Sequence, residues 1–267
     1  MSAIDSVFTD LRAKGHKAFI PFVTAGDPSL EVTATILKML AERGSSICEL
    51  GIPYSDPIAD GPIIQASYTR ALAKKIKLAD ILKMAGQVTP QMSAPAVTMI
   101  SYAIIHRHGP EAFIKAAKQA GIAGAIVPDL LVEESAALAE ICRREDFSLI
   151  QLITPTTSKE RAIRIANTST GFIYYVSVAG ITGERTELPA DIVENVAWLK
   201  QQTELPICIG FGINSPEHVK LLKPVCDGVI VGSAIVRRVS EIGARPVDEV
   251  AEEIGKYVDS MIAALNE

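Results

Sequence analysis

Apolar runs of four to seven residues alternate with stretches whose hydrophobic positions recur three and four apart, and this rhythm runs the length of the chain. Ile4, Val7, Phe8 and Leu11 fall at helical spacing, which predicts an opening amphipathic helix with Ser2 as its N-cap. The run 18–23 reads as an apolar strand. Asp27-Pro28 then reads as the start of a helix, with Asp at the N-cap and Pro at the first helical position. The residues 47–51 read as a second strand, followed by helices over 62–75 and 78–88 and a strand over 94–102. Further strands are expected at 122–127, 147–153, 171–177, 206–211 and 228–232. Helices at 110–120, 133–144, 159–168, 190–202 and 216–222 separate them, and helices starting near 233 and 247 close the chain. Eight strands, each followed by helix, imply parallel pairing. Within one domain spanning 1–267, the pattern predicts a (β/α)8 TIM barrel with an additional N-terminal helix. A doubly wound open sheet is the alternative, but no Gly-x-Gly-x-x-Gly follows the first strand.

Composition narrows the function. A net charge of -5 argues against a nucleic-acid surface, and no basic run with interleaved aromatics occurs. The four cysteines lie in apolar stretches without metal-ligand spacing, and the four histidines show no ligand pattern, so buried reduced thiols and no metal site are expected. His106 and His108 flank Arg107 in what reads as a solvated loop. No apolar segment is long enough to cross a membrane and the first 17 residues carry no signal-peptide core, so a cytoplasmic protein is expected.

The chemistry concentrates in Glu49-Leu50-Gly51-Ile52-Pro53-Tyr54-Ser55-Asp56-Pro57-Ile58-Ala59-Asp60-Gly61-Pro62. In period 2, Glu49 shares a strand face with Ile47 and Gly51, among apolar or backbone surfaces. An ionised carboxylate is costly there, so its pKa is expected to rise, which makes a Glu into a proton donor near neutral pH. The competing reading is a strand-end Glu that simply reaches water. Glycines gather after the last strands: Gly180 and Gly183, then Gly210-Phe211-Gly212, then Gly232-Ser233. Such glycines let backbone N–H groups approach an anion, and Ser233 opens a helix whose N-terminus favours negative charge. No Lys or Arg lies inside the last two clusters, so a phosphate held mainly by amides is expected, with Arg237 contributing less.

The Glu49 run closely resembles the signature of the tryptophan synthase alpha chain family. Pro21-Phe22-Val23-Thr24-Ala25-Gly26-Asp27-Pro28, Val127-Pro128-Asp129-Leu130, the segment 174–185 and the final glycines extend the resemblance over the whole chain. It implies retro-aldol cleavage of indole-3-glycerol phosphate to indole and glyceraldehyde 3-phosphate, with Glu49 as general acid/base and Asp60 accepting the indole N–H. It further implies substrate contacts from Phe22, Ile64, Tyr102, Tyr175, Thr182, Gly183, Phe211, Gly212, Gly232 and Ser233, and a lid carrying Arg185. No cofactor is implied in this chain. The partner is a tryptophan synthase beta chain that binds pyridoxal phosphate, in an alpha2beta2 tetramer. Ala103-Ile104-Ile105-His106-Arg107 departs from the Asn-bearing loop the family sets against its beta chain. That departure keeps alive an alternative, a catalytically weak subunit that mainly activates the beta chain. A third reading, another phosphosugar enzyme on the same barrel, explains the glycines but not the length of the Glu49 match.

Overall fold

The computed structural model describes residues 2–57, 60–177 and 190–267. Nine strand segments form one parallel sheet: β1 (Ala18–Thr24), β2 (Cys48–Gly51), β3 (Ala96–Met99), β4 (Ile122–Ile126), β5 (Ser148–Ile150), β6 (Leu152–Ile153), β7 (Ile173–Val176), β8 (Ile207–Gly210) and β9 (Gly228–Val231). Their lateral order is β5-β4-β3-β2-β1-β9-β8-β7-β6. The two ends of that order, β5 and β6, are separated in the chain only by Gln151. They are two pieces of one stave, so the sheet closes on itself and the eight expected strands make an α/β barrel.

Strand alternation sorts the side chains. Ala18, Ile20, Val97, Ile126, Ile150, Phe172, Cys208 and Ile230 fill the barrel interior together with Ile4 and Phe8. Phe19, Val23, Leu50, Ala125, Leu149, Ile173, Ile209 and Val231 face the helices. Ile4 and Phe8 come from α1 (Ala3–Ala13), which Ser2 caps as expected, its hydroxyl accepting from Asp5 N–H. The Phe8 and Phe172 rings lie 5.8 Å apart, so α1 plugs the N-terminal mouth and leaves the C-terminal mouth open. The four cysteines are free and buried, and no described helix is long and apolar enough to cross a membrane.

The remaining helices are α2 (Leu30–Glu42), α3 (Pro62–Ala73), α4 (Leu78–Val88), α5 (Tyr102–His108), α6 (Pro110–Gln119), α7 (Ala136–Arg144), α8 (Lys159–Thr168), α9 (Ala190–Lys200), α10 (Pro216–Leu222), α11 (Ser233–Val239) and α12 (Val247–Asn266). Two of them correct the sequence reading. The N-cap of α2 is Ser29, whose hydroxyl accepts from Val32 N–H. Asp27 instead takes two hydrogen bonds from Arg70 of α3, at 2.9 and 2.6 Å, while only 2% exposed. His106, Arg107 and His108, expected in a solvated loop, are exposed but belong to α5, which is capped by the Ser101 hydroxyl and buries Ile105 fully.

The Asp27–Arg70 pair fastens the end of β1 to α3. Arg70→Met leaves a buried carboxylate without its cation, a change that destabilises by ~3 kcal/mol in buried sites and less where the cation is half-exposed. The expected loss is about 2 kcal/mol, read from the midpoint of urea unfolding, with Asp27→Asn in the same background recovering part of it.

Candidate active site

At the C-terminal end of the barrel the inward positions stop being purely aliphatic. Phe22 on β1, Glu49 on β2, Met99 on β3, Tyr174 on β7 and Ile230 on β9 line one cavity of about 610 Å³ with Asp60, Ile64, Phe211, Gly212, Gly232 and Ser233. Phe22 and Glu49 are direct register partners across β1 and β2. Glu49 is 0% exposed, and neither carboxylate oxygen has a hydrogen-bond partner among the described residues. Burial first, and the charge of Asp60 second, push its pKa up to about 8. The expectation of a perturbed acid on an inward strand position therefore holds, against the reading in which it reaches water.

Asp60 sits where the β2–α3 connection enters α3, just before Gly61 as N-cap and Pro62 at the first helical position. The Gln65 side-chain amide donates to the Asp60 carbonyl at 2.7 Å, which ties that turn down. Burial raises the Asp60 carboxyl to about 6. Two acids thus share a cavity with separated pKa values: at neutral pH Glu49 holds its proton and Asp60 is mostly ionised.

Room for the aromatic walls comes from two strand glycines. A Cβ on Gly51 would lie 2.3 Å from the Phe22 ring, and one on Gly210 would lie 2.4 Å from the Tyr174 hydroxyl. Phe211 and Gly212 follow with φ of 92° and 77°. A left-handed Phe is costly and persists only where the surroundings hold it. Ser177 does so: its N–H donates to Gly210 O at 3.2 Å and its hydroxyl to Phe211 O at 3.0 Å. Phe211 is left 42% exposed over the cavity. The lining also includes Arg237, Arg238, Glu241 and Glu253.

Most expected residues meet here, and two do not. Phe22, Glu49, Asp60, Ile64, Phe211, Gly212, Gly232 and Ser233 converge. Tyr175 does not line the cavity: it faces the helix layer, and its neighbour Tyr174 takes the inward position, as strand alternation requires. Tyr102 opens α5 and packs against the outer core. Its N–H donates to Asp129 at 2.7 Å, and the Ser101 hydroxyl donates to the same carboxylate at 2.6 Å. Thr182, Gly183 and Arg185 lie outside the described residues. Tyr174 and Met99 are cavity residues the sequence reading does not single out, although the inward phase of their strands marks both. Among the described residues no cluster of His, Cys, Asp and Glu could hold a metal.

Comparison with known proteins agrees with this geometry. The family model described as tryptophan synthase alpha chain matches residues 8–265. The tryptophan synthase alpha chain of Rhodopirellula baltica is 52% identical, the match covering 100% of this chain and 99% of that one. The alpha chain of Synechocystis is 46% identical over 90% of this chain and 92% of its own. Among solved structures, tryptophan synthase subunit alpha from Legionella pneumophila superposes with a TM-score of 0.89 at 33% identity, covering 99% of this chain and 98% of that one.

The buried acid has a cost that can be measured. A carboxyl whose folded pKa is raised loses stability for the fold as pH climbs from its unfolded value, 4.5, through its folded value, about 8. Glu49→Gln removes that loss. The variant is expected to be the more stable protein at neutral pH by a few kcal/mol, at ~1.4 kcal/mol per pH unit. The gap should widen from pH 5 to 8 and level off above, as read by thermal unfolding across that range.

Proposed function

The chain belongs to the tryptophan synthase alpha chain family, and on that premise we propose which of its residues carry the reaction. It is an indole-3-glycerol-phosphate lyase, cleaving that substrate to indole and glyceraldehyde 3-phosphate. The family uses no cofactor in this chain, since pyridoxal phosphate belongs to the beta chain. The cleavage needs a proton delivered to indole C3 and a proton taken from the hydroxyl on the adjacent side-chain carbon. The bonding pair between C3 and that carbon then returns to the ring as the aldehyde forms.

The observation that carries the assignment is the pair of acids with separated pKa values in one cavity. Glu49 is protonated at neutral pH and faces the interior, so it supplies the C3 proton; its carboxylate then takes the hydroxyl proton and is reset. Asp60 is mostly ionised and accepts the indole N–H as positive charge develops on the ring. Phe22, Ile64, Tyr174 and Phe211 form apolar and aromatic walls that suit a planar indole. The phosphate lies against the amides of Gly212, Gly232 and Ser233, which line the same cavity as the acids. The chain works as one barrel domain whose own catalysis, rather than activation of a partner alone, is its task.

For the partner we propose a beta chain in an alpha2beta2 assembly, met in part through α5. The face of α5 it would meet is not the pair of isoleucines, since Ile105 is buried and Ile104 half-buried, but Ala103, His106, Arg107 and His108, which are exposed.

Two outcomes test this reading. Glu49→Gln and Asp60→Asn should each lower indole release from indole-3-glycerol phosphate by ~10²–10⁴-fold while substrate binding is kept, and addition of the cognate beta chain should raise the wild-type rate without rescuing either variant. Activity of Glu49→Gln within a few-fold of wild type would remove it from the mechanism. Separately, Gly212→Val places a branched residue at a φ of 77°. It should weaken glycerol phosphate binding far more than Arg237→Gln does, and the reverse order in a titration would assign the phosphate to the cation.

A further inference from the structure

The cavity that takes the phosphate substrate belongs to a chain of net charge -5, and its lining includes Glu49, Asp60, Glu241 and Glu253. A phosphate monoester carries close to two negative charges at neutral pH. The field of the whole protein therefore opposes its approach. Two described cations line the cavity, Arg237 and Arg238, both on α11, and they are used differently. Arg238 is engaged within the protein: a guanidinium N–H donates to the Ala234 carbonyl at 2.8 Å, its Nε lies 3.7 Å from Glu253, and its head sits 4.1 Å over the Tyr257 ring. Arg237 is exposed and forms no ion pair among the described residues, although two carboxylates line the same cavity. It follows Ser233 by four residues, so the two share a face of α11.

The carboxylates that could neutralise Arg237 are taken from elsewhere. Glu241, four residues further on, accepts from Arg245 at 2.6 Å, and Glu253 accepts from the same guanidinium at 2.8 Å. Arg245 also takes Glu249 at 2.6 Å and is not among the cavity-lining residues. We propose that Arg237 is a steering residue for the phosphate end of the substrate, and that Arg245 keeps it unpaired by holding Glu241 and Glu253. Its charge draws the dianion toward the Gly212, Gly232 and Ser233 amides without being one of the hydrogen-bonding partners. The proposal rests on the reading that the phosphate sits at those amides. Attraction between charges in water falls slowly with distance and is screened by salt, with a Debye length of ~30 Å at 0.01 M and ~10 Å at 0.1 M. Amide contacts act only at close range, so ionic strength separates the two contributions.

The test is KM and kcat for indole release, with the Ki of glycerol phosphate as competitor, followed from about 0.01 to about 0.5 M NaCl. Wild type is compared with Arg237→Gln, Arg237→Lys, Arg245→Gln, Gly212→Val and Lys14→Gln, the last removing the same unit charge from the exposed C-cap of α1 at the opposite mouth. Arg237→Gln should raise KM and Ki by about three- to ten-fold at the low salt and by less than about two-fold at the high, with kcat held within about two-fold. Arg237→Lys keeps the charge and should stay near wild type, whereas a bidentate contact would be lost with the guanidinium. Arg245→Gln should reproduce part of the salt-dependent loss from outside the cavity, and Lys14→Gln should show none. A loss that does not shrink with salt, a fall in kcat, an Arg237→Lys as poor as Arg237→Gln, or an equal loss in Lys14→Gln overturns the steering role. An unchanged Arg245→Gln overturns the part given to Arg245. KM and Ki do not depend on the fraction of active protein, so a variant of lower Tm still reads correctly. Normal Ki values for Gly212→Val at every salt would remove the amide site and this inference with it; a Gly212→Val weakened at every salt beside a salt-independent Arg237→Gln removes Arg237 alone.

Discussion

A carboxyl group with no protein partner for either oxygen lies where the inward faces of five strands converge, and much of the surrounding structure follows from tolerating it. Desolvation raises the pKa of Glu49 to about 8, and the same desolvation makes it an acid at neutral pH. The barrel around it must therefore hold a group that water would stabilise better. It does so with a mainly apolar interior between the α1 plug and the level of Glu49, interrupted near the plug by the buried Ser148 hydroxyl, 3.4 Å from that of Ser2. Stability and protonation state follow from one desolvation with opposite signs, so a tighter, drier barrel keeps Glu49 protonated to a higher pH and makes a less stable fold at neutral pH.

The second acid is handled differently because it comes from a connection and not from a strand. Asp60 is held by the turn into α3, with Gln65 on its carbonyl, and α3 is in turn fastened to β1 by Arg70 and Asp27. The Thr24 and Ser67 hydroxyls, 2.6 Å apart, add a second tie between the same elements. Glu49 inherits its place from the sheet register, whereas Asp60 inherits its place from helix docking. That difference separates their burial and hence their pKa values. It also explains why the polar contacts that matter for Asp60 lie some distance from any reacting atom.

The barrel was legible in the sequence because both periodicities were strong, and Glu49 because a lone acid interrupted an apolar strand. The misses have local causes. Asp27-Pro28 carries the residue types of a helix start, yet the buried Asp is claimed by Arg70 from 43 residues away, and Ser29 takes the cap. The helix α5 spans only seven residues and ends in His-Arg-His, too short and too polar to show a repeat. Tyr174 and Tyr175 are adjacent and chemically alike, so only strand phase separates the cavity wall from the outer layer.

The stave interrupted at Gln151 divides the cylinder into two arcs that share β1. One arc, β1 to β5, carries Glu49 and, through α3, Asp60; the other, β6 to β9, carries Tyr174, Phe211, Gly212 and the Gly232-Ser233 turn. The cavity draws its walls from both arcs, so neither half of the cylinder builds it alone, and a change that parted the two halves at Gln151 would part the acids from the glycine turns.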